Sequence, residues 1–434
     1  MKKIIAVTAG LMLAGSFVAS ANAATINFSG DARARYNYQD NYSGIKNFAP
    51  KDADQTFWTS RVRLQFKIET KGGAYAVGRF RLADGTWDNA DNSKGNSTLA
   101  SGEKSNLFVD VAYVGLPLQN IPVKVEGGVM YNTVTELLRK DDPFNTIRAV
   151  YGNENTTVSA FMEKNDEYFE REREVISTDP VTGLAVSKMV TVVDDDGMSD
   201  DDITQYGVNL IQKFGNGWTG NFLLMYRDDQ QTRLDSFKNE YDTSGFIGDA
   251  TLVGKVGEIG LIGEIQYREA DANRAYGSTT SDDGVGGFVG VNIPLGIASV
   301  SMVGGATFNG FLAGSDFGGD DQMGYVPFVM LSGATTEVLG MMNTGILVGS
   351  ADGDAYFFNV APSVRVSDKL TLTAEGTYLS VDVADDSIDI YEIGGIAQYK
   401  VTDGATLTAL IGYLDIENLD ENPLGVGLAL DLKF

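Results

Sequence analysis

The last nine residues alternate strictly between apolar and other side chains, and the chain ends on an aromatic residue, Phe434. The apolar positions are Val426, Leu428, Leu430, Leu432 and Phe434. A period of two is typical of a β-strand with one apolar face. In a transmembrane barrel, outward residues near the lipid boundary form aromatic girdles. The ending therefore predicts a strand that closes such a barrel.

The beginning of the chain shows the same alternation. Residues 25–38 follow it without a break, and two further stretches, 58–69 and 74–82, follow it closely. The polar faces of these three predicted strands carry six arginines: Arg33, Arg35, Arg61, Arg63, Arg79 and Arg81. Facing lipid, each arginine would cost about 2–4 kcal/mol near the midplane, so we expect all six to line the lumen.

Short turns and long polar loops alternate along the rest of the chain, as an up-and-down barrel requires. The sequence predicts an all-β fold, a transmembrane antiparallel up-and-down β-barrel of about 18–20 strands, with 20 as the best count. The count falls to 18 if the pair of strands predicted near 325–332 and 341–350 is misread. Both termini then lie at the same end of the barrel, because the number of strands is even.

Residues 1–23 have the pattern of a cleaved signal peptide: two lysines, an apolar run and a small-residue exit at Ala21-Asn-Ala23. A transmembrane anchor is the alternative, but the apolar run is short for a span of about 20 residues. We therefore expect residues 24–434 to form a single barrel domain located in a bacterial outer membrane.

Composition excludes several classes of function. The formal net charge of −26 argues against a nucleic-acid partner, because such binding needs a basic surface. The chain has no Cys and no His, which excludes disulfides, thiolate metal sites and histidine-based hydrolysis. We expect no enzyme, no cofactor and no metal. A barrel of 16–18 strands leaves an aqueous lumen, so a channel is the expected function.

These features together resemble the general porin family of Gram-negative bacterial outer membranes. The resemblance rests on the predicted signal, the arginines of the early strands, the long loops and the terminal strand ending in Phe434. It implies that the assembly machinery reads Phe434, that the protein contacts outer-membrane lipid and lipopolysaccharide, and that it forms a homotrimer. It also implies a third loop folded into the lumen as a constriction, with Glu136, Asp141 and Asp142. The Pro-Glu-Phe-Gly-Gly type of motif familiar in that loop is missing.

The charges of the arginines and of the third loop suggest a transverse electric field across the narrowest point, which would filter solutes by charge and size. The alternative is that the arginines are solvated lumen residues tied to loop carboxylates for structural reasons. The expected function is passive diffusion of small hydrophilic solutes and ions. A channel selective for an anion such as phosphate or a carboxylate is one rival. A structural, adhesion or partner-scaffold barrel with a blocked pore is another.

One long loop, 164–202, is strongly acidic. It suggests either a divalent-cation bridge to lipopolysaccharide phosphates or an ordinary solvated external loop, and the sequence favours the second. The glycines of 284–290 lie within a strand pattern, so we interpret them as relief of crowding in a curved sheet and not as a nucleotide loop.

Overall fold

The computed structural model describes residues 25–41, 55–87, 108–132, 135–138, 143–165, 170–178, 185–193, 203–229, 233–234, 240–241, 243–314, 317, 329–331, 348–383, 386–418 and 422–434. The predicted signal segment 1–23 lies outside these residues. Asp141 and Asp142 also lie outside them.

Strands make up most of the described chain, and they are β1 (Thr25–Asp40), β2 (Gln55–Glu69), β3 (Tyr75–Trp87), β4 (Phe108–Pro117), β5 (Val123–Tyr131), β6 (Pro143–Gly152), β7 (Thr156–Asn165), β8 (Glu170–Thr178), β9 (Ala185–Val193), β10 (Ile203–Lys213), β11 (Thr219–Asp229), β12 (Arg233–Leu234), β13 (Glu240–Tyr241), β14 (Gly245–Val256), β15 (Ile259–Arg268), β16 (Gly284–Leu295), β17 (Ala298–Phe308), β18 (Ala355–Arg365), β19 (Leu370–Val383), β20 (Asp386–Thr402), β21 (Ala405–Ile416) and β22 (Leu424–Lys433). All except β8, β9, β12 and β13 belong to one 18-stranded sheet.

The sheet closes on itself as an antiparallel barrel. Each strand pairs with its neighbours along the chain, and the first strand, β1, also pairs with the last, β22. Asp31 lies opposite Lys433 and Asp40 opposite Leu424, so the start of β1 and the end of β22 are at the same end of the barrel. The end of the chain continues this seam, because Gly30 and Phe434 exchange two backbone hydrogen bonds of 2.7 and 3.0 Å.

The two faces of the barrel differ as the alternation predicts. Large apolar side chains project outward and stay exposed, with Phe28 and Ile393 each 69% accessible and Val289 61%. The intervening positions of β15, from Ile262 to Arg268, point inward and are buried. Closure leaves no sheet edge unpaired, which is the condition for a β-structure in lipid.

The best count of 20 strands is wrong, because β17 pairs directly with β18 from Ala298–Val364 to Thr307–Ala355. The two strands predicted between them are absent from the barrel among the residues described. Val329, Met330 and Leu331 are buried in succession, as are residues 348–350, so neither stretch has an exposed alternate face. Residues 329–331 are apolar because they pack inside the barrel, and a count of apolar residues cannot distinguish such packing from strand alternation.

Short and long connections alternate along the barrel as far as β19, but β19 and β20 are joined by only two residues, 384–385, where the alternation predicts a long loop. Short turns occur at the predicted places, among them residues 70–74, 257–258 and 403–404. The predicted loop 164–202 contains the antiparallel pair β8–β9, and its acidic run 194–202 lies outside the described residues. The loop predicted at 269–284 contains a short helix, α1 (Ala270–Ala275). In the described part of the chain, no helix is long and apolar enough to cross a membrane.

Candidate functional site: two halves of the barrel interior

The six predicted arginines lie on the inner face of β1, β2 and β3, three neighbouring strands. Arg35 and Arg61 are 4% accessible, whereas Arg33, Arg63, Arg79 and Arg81 are half-buried. Their alignment follows from the pairing register, which places Arg33 opposite Arg61 and Arg63 opposite Arg81. The result is one cationic surface on the inner wall.

Carboxylates of the wall itself neutralise part of this surface. Asp110 accepts from Arg79 and Arg81, with its Oδ2 2.8 Å from Arg79 Nη2 and 2.5 Å from Arg81 Nε. On β1, the Oδ2 atom of Asp31 lies 2.8 Å from Arg63 Nε. Arg61 Nη2 is 3.6 Å from the other carboxylate oxygen of Asp31. Nothing in the sequence distinguishes these two aspartates, because they lie on polar strand faces like any other lumen residue.

A β-bulge brings Asp110 between its two arginines. In the pairing of β3 with β4, Arg79 lies opposite Val111 and Phe80 lies opposite Val109, so Asp110 is the extra residue. A bulge re-aims the side chain of the inserted residue. Here the inserted side chain is a carboxylate that reaches both guanidinium groups.

A second charged cluster lies on β2–β6, nearer the short turns. Its centre is Glu126, which is 1% accessible and is contacted by Lys124 at 2.8 Å, by Arg148 and by the hydroxyl of Tyr75. Lys67 lies 4.9 Å above the Tyr75 ring. The two lysines remain accessible to about two fifths, at 42% and 43%. This part of the wall therefore keeps positive charge in contact with the lumen.

The opposite half of the wall is covered by chain segments that enter the barrel. On a ring of 18 strands, β1–β3 lie across from β14–β16. The third loop reaches this far wall, where the carboxylate of Glu264 on β15 accepts from the Leu137 amide at 2.7 Å and from the Glu136 amide at 3.2 Å. Glu136 is thus placed against the wall that faces the arginines.

Arg268, two inward positions after Glu264 on the same strand, is the most buried charged residue of this half. Its Nη2 donates to the Leu137 carbonyl at 3.0 Å, and its Nη1 donates to the Leu312 carbonyl at 2.9 Å. The guanidinium lies 4.0 Å from the centre of the Phe311 ring and 4.3 Å from that of Tyr276. One side chain therefore contacts three different connections.

The long connection between β17 and β18 packs more deeply. Phe311 and Phe317 are buried against wall residues, with Phe317 5.3 Å from Phe288 and 5.6 Å from Phe357 between ring centres. A Cβ at Gly286 would overlap the Phe311 ring. The sequence predicts that the glycines of 284–290 relieve crowding in the sheet. In the structure, Gly286 leaves the space that the Phe311 ring occupies.

Farther along the same connection, three consecutive amides bind one carboxylate. Glu392 on β20 is 1% accessible and accepts from Val329 at 2.7 Å, Met330 at 2.6 Å and Leu331 at 3.1 Å. A Cβ at Gly412 would lie 2.7 Å from Met330 Cγ and 2.8 Å from Val329 Cγ1. The wall thus supplies both a polar anchor and the space for this segment.

The interior is consequently asymmetric among the residues described. The half formed by β1–β6 keeps partly accessible cations, and the half formed by β14–β21 is lined by anchored loop segments. The polar strand faces of the sequence indicate the cations, but no local motif marks Asp110, Glu264, Arg268 or Glu392.

No family model matches the sequence, and no curated protein matches it. Solved structures do match in three dimensions. OccK8 (OprE) of Pseudomonas aeruginosa is 12% identical, covers 94% of this chain and 98% of its own, and has a TM-score of 0.55. OccAB1 of Acinetobacter baumannii is 13% identical over 94% and 96%, with a TM-score of 0.55. The outer membrane protein OpdK of Pseudomonas aeruginosa is 12% identical over 94% and 98%, with a TM-score of 0.54. The likeness is one of fold.

Proposed function

We propose that this chain is an outer-membrane porin: a water-filled channel through which small hydrophilic solutes and ions diffuse passively. The observation that carries the proposal is the closed 18-stranded barrel with an apolar exterior and a charged, partly accessible inner wall. Barrels of 16–18 strands leave an aqueous channel, whereas barrels of about eight strands are filled by side chains. The solute's own concentration gradient drives the flux.

The proposed location is the outer membrane of a Gram-negative bacterium. The exposed apolar side chains of the outer face suit lipid, and the resemblance of the sequence to general porins points to the same location. OpdK of Pseudomonas aeruginosa, which shares this fold, is an outer membrane protein. We place the short turns on the periplasmic side and the long loops outside.

Conductance measurements test the proposal directly. The purified protein would be inserted into a planar lipid bilayer, and single insertions would be recorded under a salt gradient. We expect stepwise, ohmic increases in current. Folded barrels are recognised by a mobility shift on heating in detergent electrophoresis. If such barrels give no conductance, the channel is contradicted and a scaffold with a blocked pore is favoured.

A channel selective for anionic solutes is the second candidate, favoured by the cationic wall on β1–β3. Arginine pairs with carboxylates and phosphates in a bidentate geometry. OpdK, which shares this fold, has been solved with vanillate, a carboxylate. Flux of such a solute that saturates with concentration would support this candidate, and flux that rises linearly would support unselective diffusion.

The third loop completes the proposal. We propose that Glu136, together with Asp141 and Asp142 of the same loop, faces the arginines across the narrowest part of the lumen. The support is the attachment of Glu136 and Leu137 to β15, across the barrel from β2. A field between these charges orients dipolar solutes and discriminates by charge.

The remaining proposals concern partners. Phe434 ends the closing strand and is 67% accessible, so it is available to the assembly machinery as a terminal signal. The apolar exterior contacts outer-membrane lipid, including lipopolysaccharide, and trimer formation follows from the family resemblance. Cross-linking in native membranes tests the trimer, since monomeric channels give no cross-linked species.

A further inference from the structure

We infer that Arg268 is a positioning residue that makes two lining segments, 135–138 and 311–314, behave as one rigid body. The inference rests on the proposed channel function, because it assigns to this body the control of pore width. Neither a family motif nor a sequence pattern marks Arg268.

The backbone of Leu137 is hydrogen-bonded to the wall and to the segment 311–314. Its amide donates to Glu264 at 2.7 Å, and its carbonyl accepts from Arg268 at 3.0 Å. The same carbonyl accepts from the amide of Gly314 at 2.9 Å. Leu137 of the third loop is thus hydrogen-bonded both to the barrel wall and to the segment 311–314.

The second segment is held by the same guanidinium. Arg268 donates to the Leu312 carbonyl at 2.9 Å, and its guanidinium carbon lies 4.0 Å above the centre of the Phe311 ring. Adjacent residues extend the contact, because the Ala313 amide donates to the Val348 carbonyl at 2.8 Å. Arginine can donate in two directions while stacking on a ring, whereas lysine offers a compact charge without a planar fork.

The wall fixes the orientation of the guanidinium. Arg268 Nε donates to Gln266 Oε1 at 2.7 Å, and Gln266 Nε2 donates to Asp249 Oδ2 at 2.9 Å. Gln266 also reaches Thr135 of the third loop, at 3.3 Å. This chain of bonds runs from β14 through β15 into both segments, so a displacement of one segment has to displace the other.

Three variants separate this role from a general contribution to folding. Arg268→Gln removes the guanidinium, and Arg268→Lys keeps the charge without the fork. Gly314→Ala leaves the wall and all charges intact, yet its Cβ would lie 2.6 Å from the Leu138 carbonyl oxygen and force the segments apart. The matched control is Arg227→Gln, which removes an inward-facing arginine that pairs with Asp229 on its own strand.

The readouts are open-channel current noise and the size limit for polyethylene glycols of graded length. We expect Arg268→Gln and Gly314→Ala to increase the noise severalfold and to admit larger polymers. Arg268→Lys should give an intermediate effect, and Arg227→Gln should match wild type. If Gly314→Ala behaves as wild type, the two segments are not one body and the inference is overturned, even where Arg268→Gln fails to fold.

Hydrogen exchange separates this inference from the proposed function. In folded wild-type barrels we expect the Leu137 amide to exchange slowly, and in Gly314→Ala at least tenfold faster. Slow exchange in a wild-type protein that conducts no current would leave the rigid body standing and refute the channel. Fast exchange in a conducting wild-type protein would refute the rigid body alone.

Discussion

The aromatic ring of Phe434 lies over Gly30 on the outer face of the barrel, where the two residues also exchange backbone hydrogen bonds. A Cβ at position 30 would lie 2.7 Å from two ring carbons and 2.5 Å from the Arg63 carbonyl oxygen. The closing seam therefore requires glycine at this position.

Gly30→Ala should consequently destabilise the barrel. We expect a cost of about 1–3 kcal/mol, which is typical of overpacking. The measurement is the temperature at which the compact electrophoretic form is lost. Gly376→Ala is the matched control, since Gly376 has open space around its missing Cβ and should change stability by no more than about 0.5 kcal/mol. Equal transition temperatures for the two variants would contradict this account of the seam.

The double variant Arg61→Gln, Arg63→Gln should shift ion selectivity towards cations. Both guanidinium groups belong to the inner cationic surface, and their removal leaves Asp31 without two of its positive neighbours. The reversal potential in a salt gradient measures the shift. Arg365→Gln, on an exposed position at the end of β18, serves as the control. An unchanged reversal potential would mean that the wall does not control entry.

Asp110→Asn should shift selectivity in the opposite direction, towards anions. The substitution removes the negative charge that Arg79 and Arg81 share. We also expect a loss of stability on the order of 1–3 kcal/mol, because a buried charge-assisted hydrogen bond becomes a weaker one. Asp403→Asn in an exposed turn is the control. A reversal potential that moves in the same direction as that of the arginine variant would refute the electrostatic explanation.

Glu392→Gln should release the segment 329–331 from the wall. An amide side chain has one acceptor oxygen and a donor group, so it cannot accept all three amides as the carboxylate does. Each buried amide left without an acceptor costs about 1–3 kcal/mol. We expect faster hydrogen exchange at Val329, Met330 and Leu331 with the barrel intact. The control is Glu258→Gln, in an exposed turn, which should leave the exchange of these three amides as in wild type. If Glu392→Gln also leaves their exchange unchanged, the carboxylate of Glu392 is not the anchor.

The barrel could be predicted from the sequence because lipid imposes a simple rule on every spanning strand. Outward residues such as Leu428 and Leu430 have to be apolar, and the residues between them, such as Asp431, face a polar interior. This rule predicted the polar strand faces that carry the six arginines, and it predicted the pairing of the first strand with the last, which the structure confirms.

The lining could not be predicted in the same way. Apolar residues such as Met330 pack in the interior of the barrel instead of facing lipid, so the sequence suggested a strand pair that the described residues of this stretch do not form. Glu264, Arg268 and Glu392 occupy inward strand positions like many other polar residues. Their importance depends on segments distant in the chain, such as Leu137 for Glu264, and a single sequence does not reveal such a pairing.

The enclosure of the lining has a consequence for the order of folding. Contacts between the first and last strands are the most distant in the chain, so the seam between β1 and β22 is expected to form late. Arg268 and Glu392 are buried inside the finished cylinder. We therefore expect the lining segments to dock while the sheet is still an open, curved surface, which makes them an internal template on which the strands assemble before the cylinder seals.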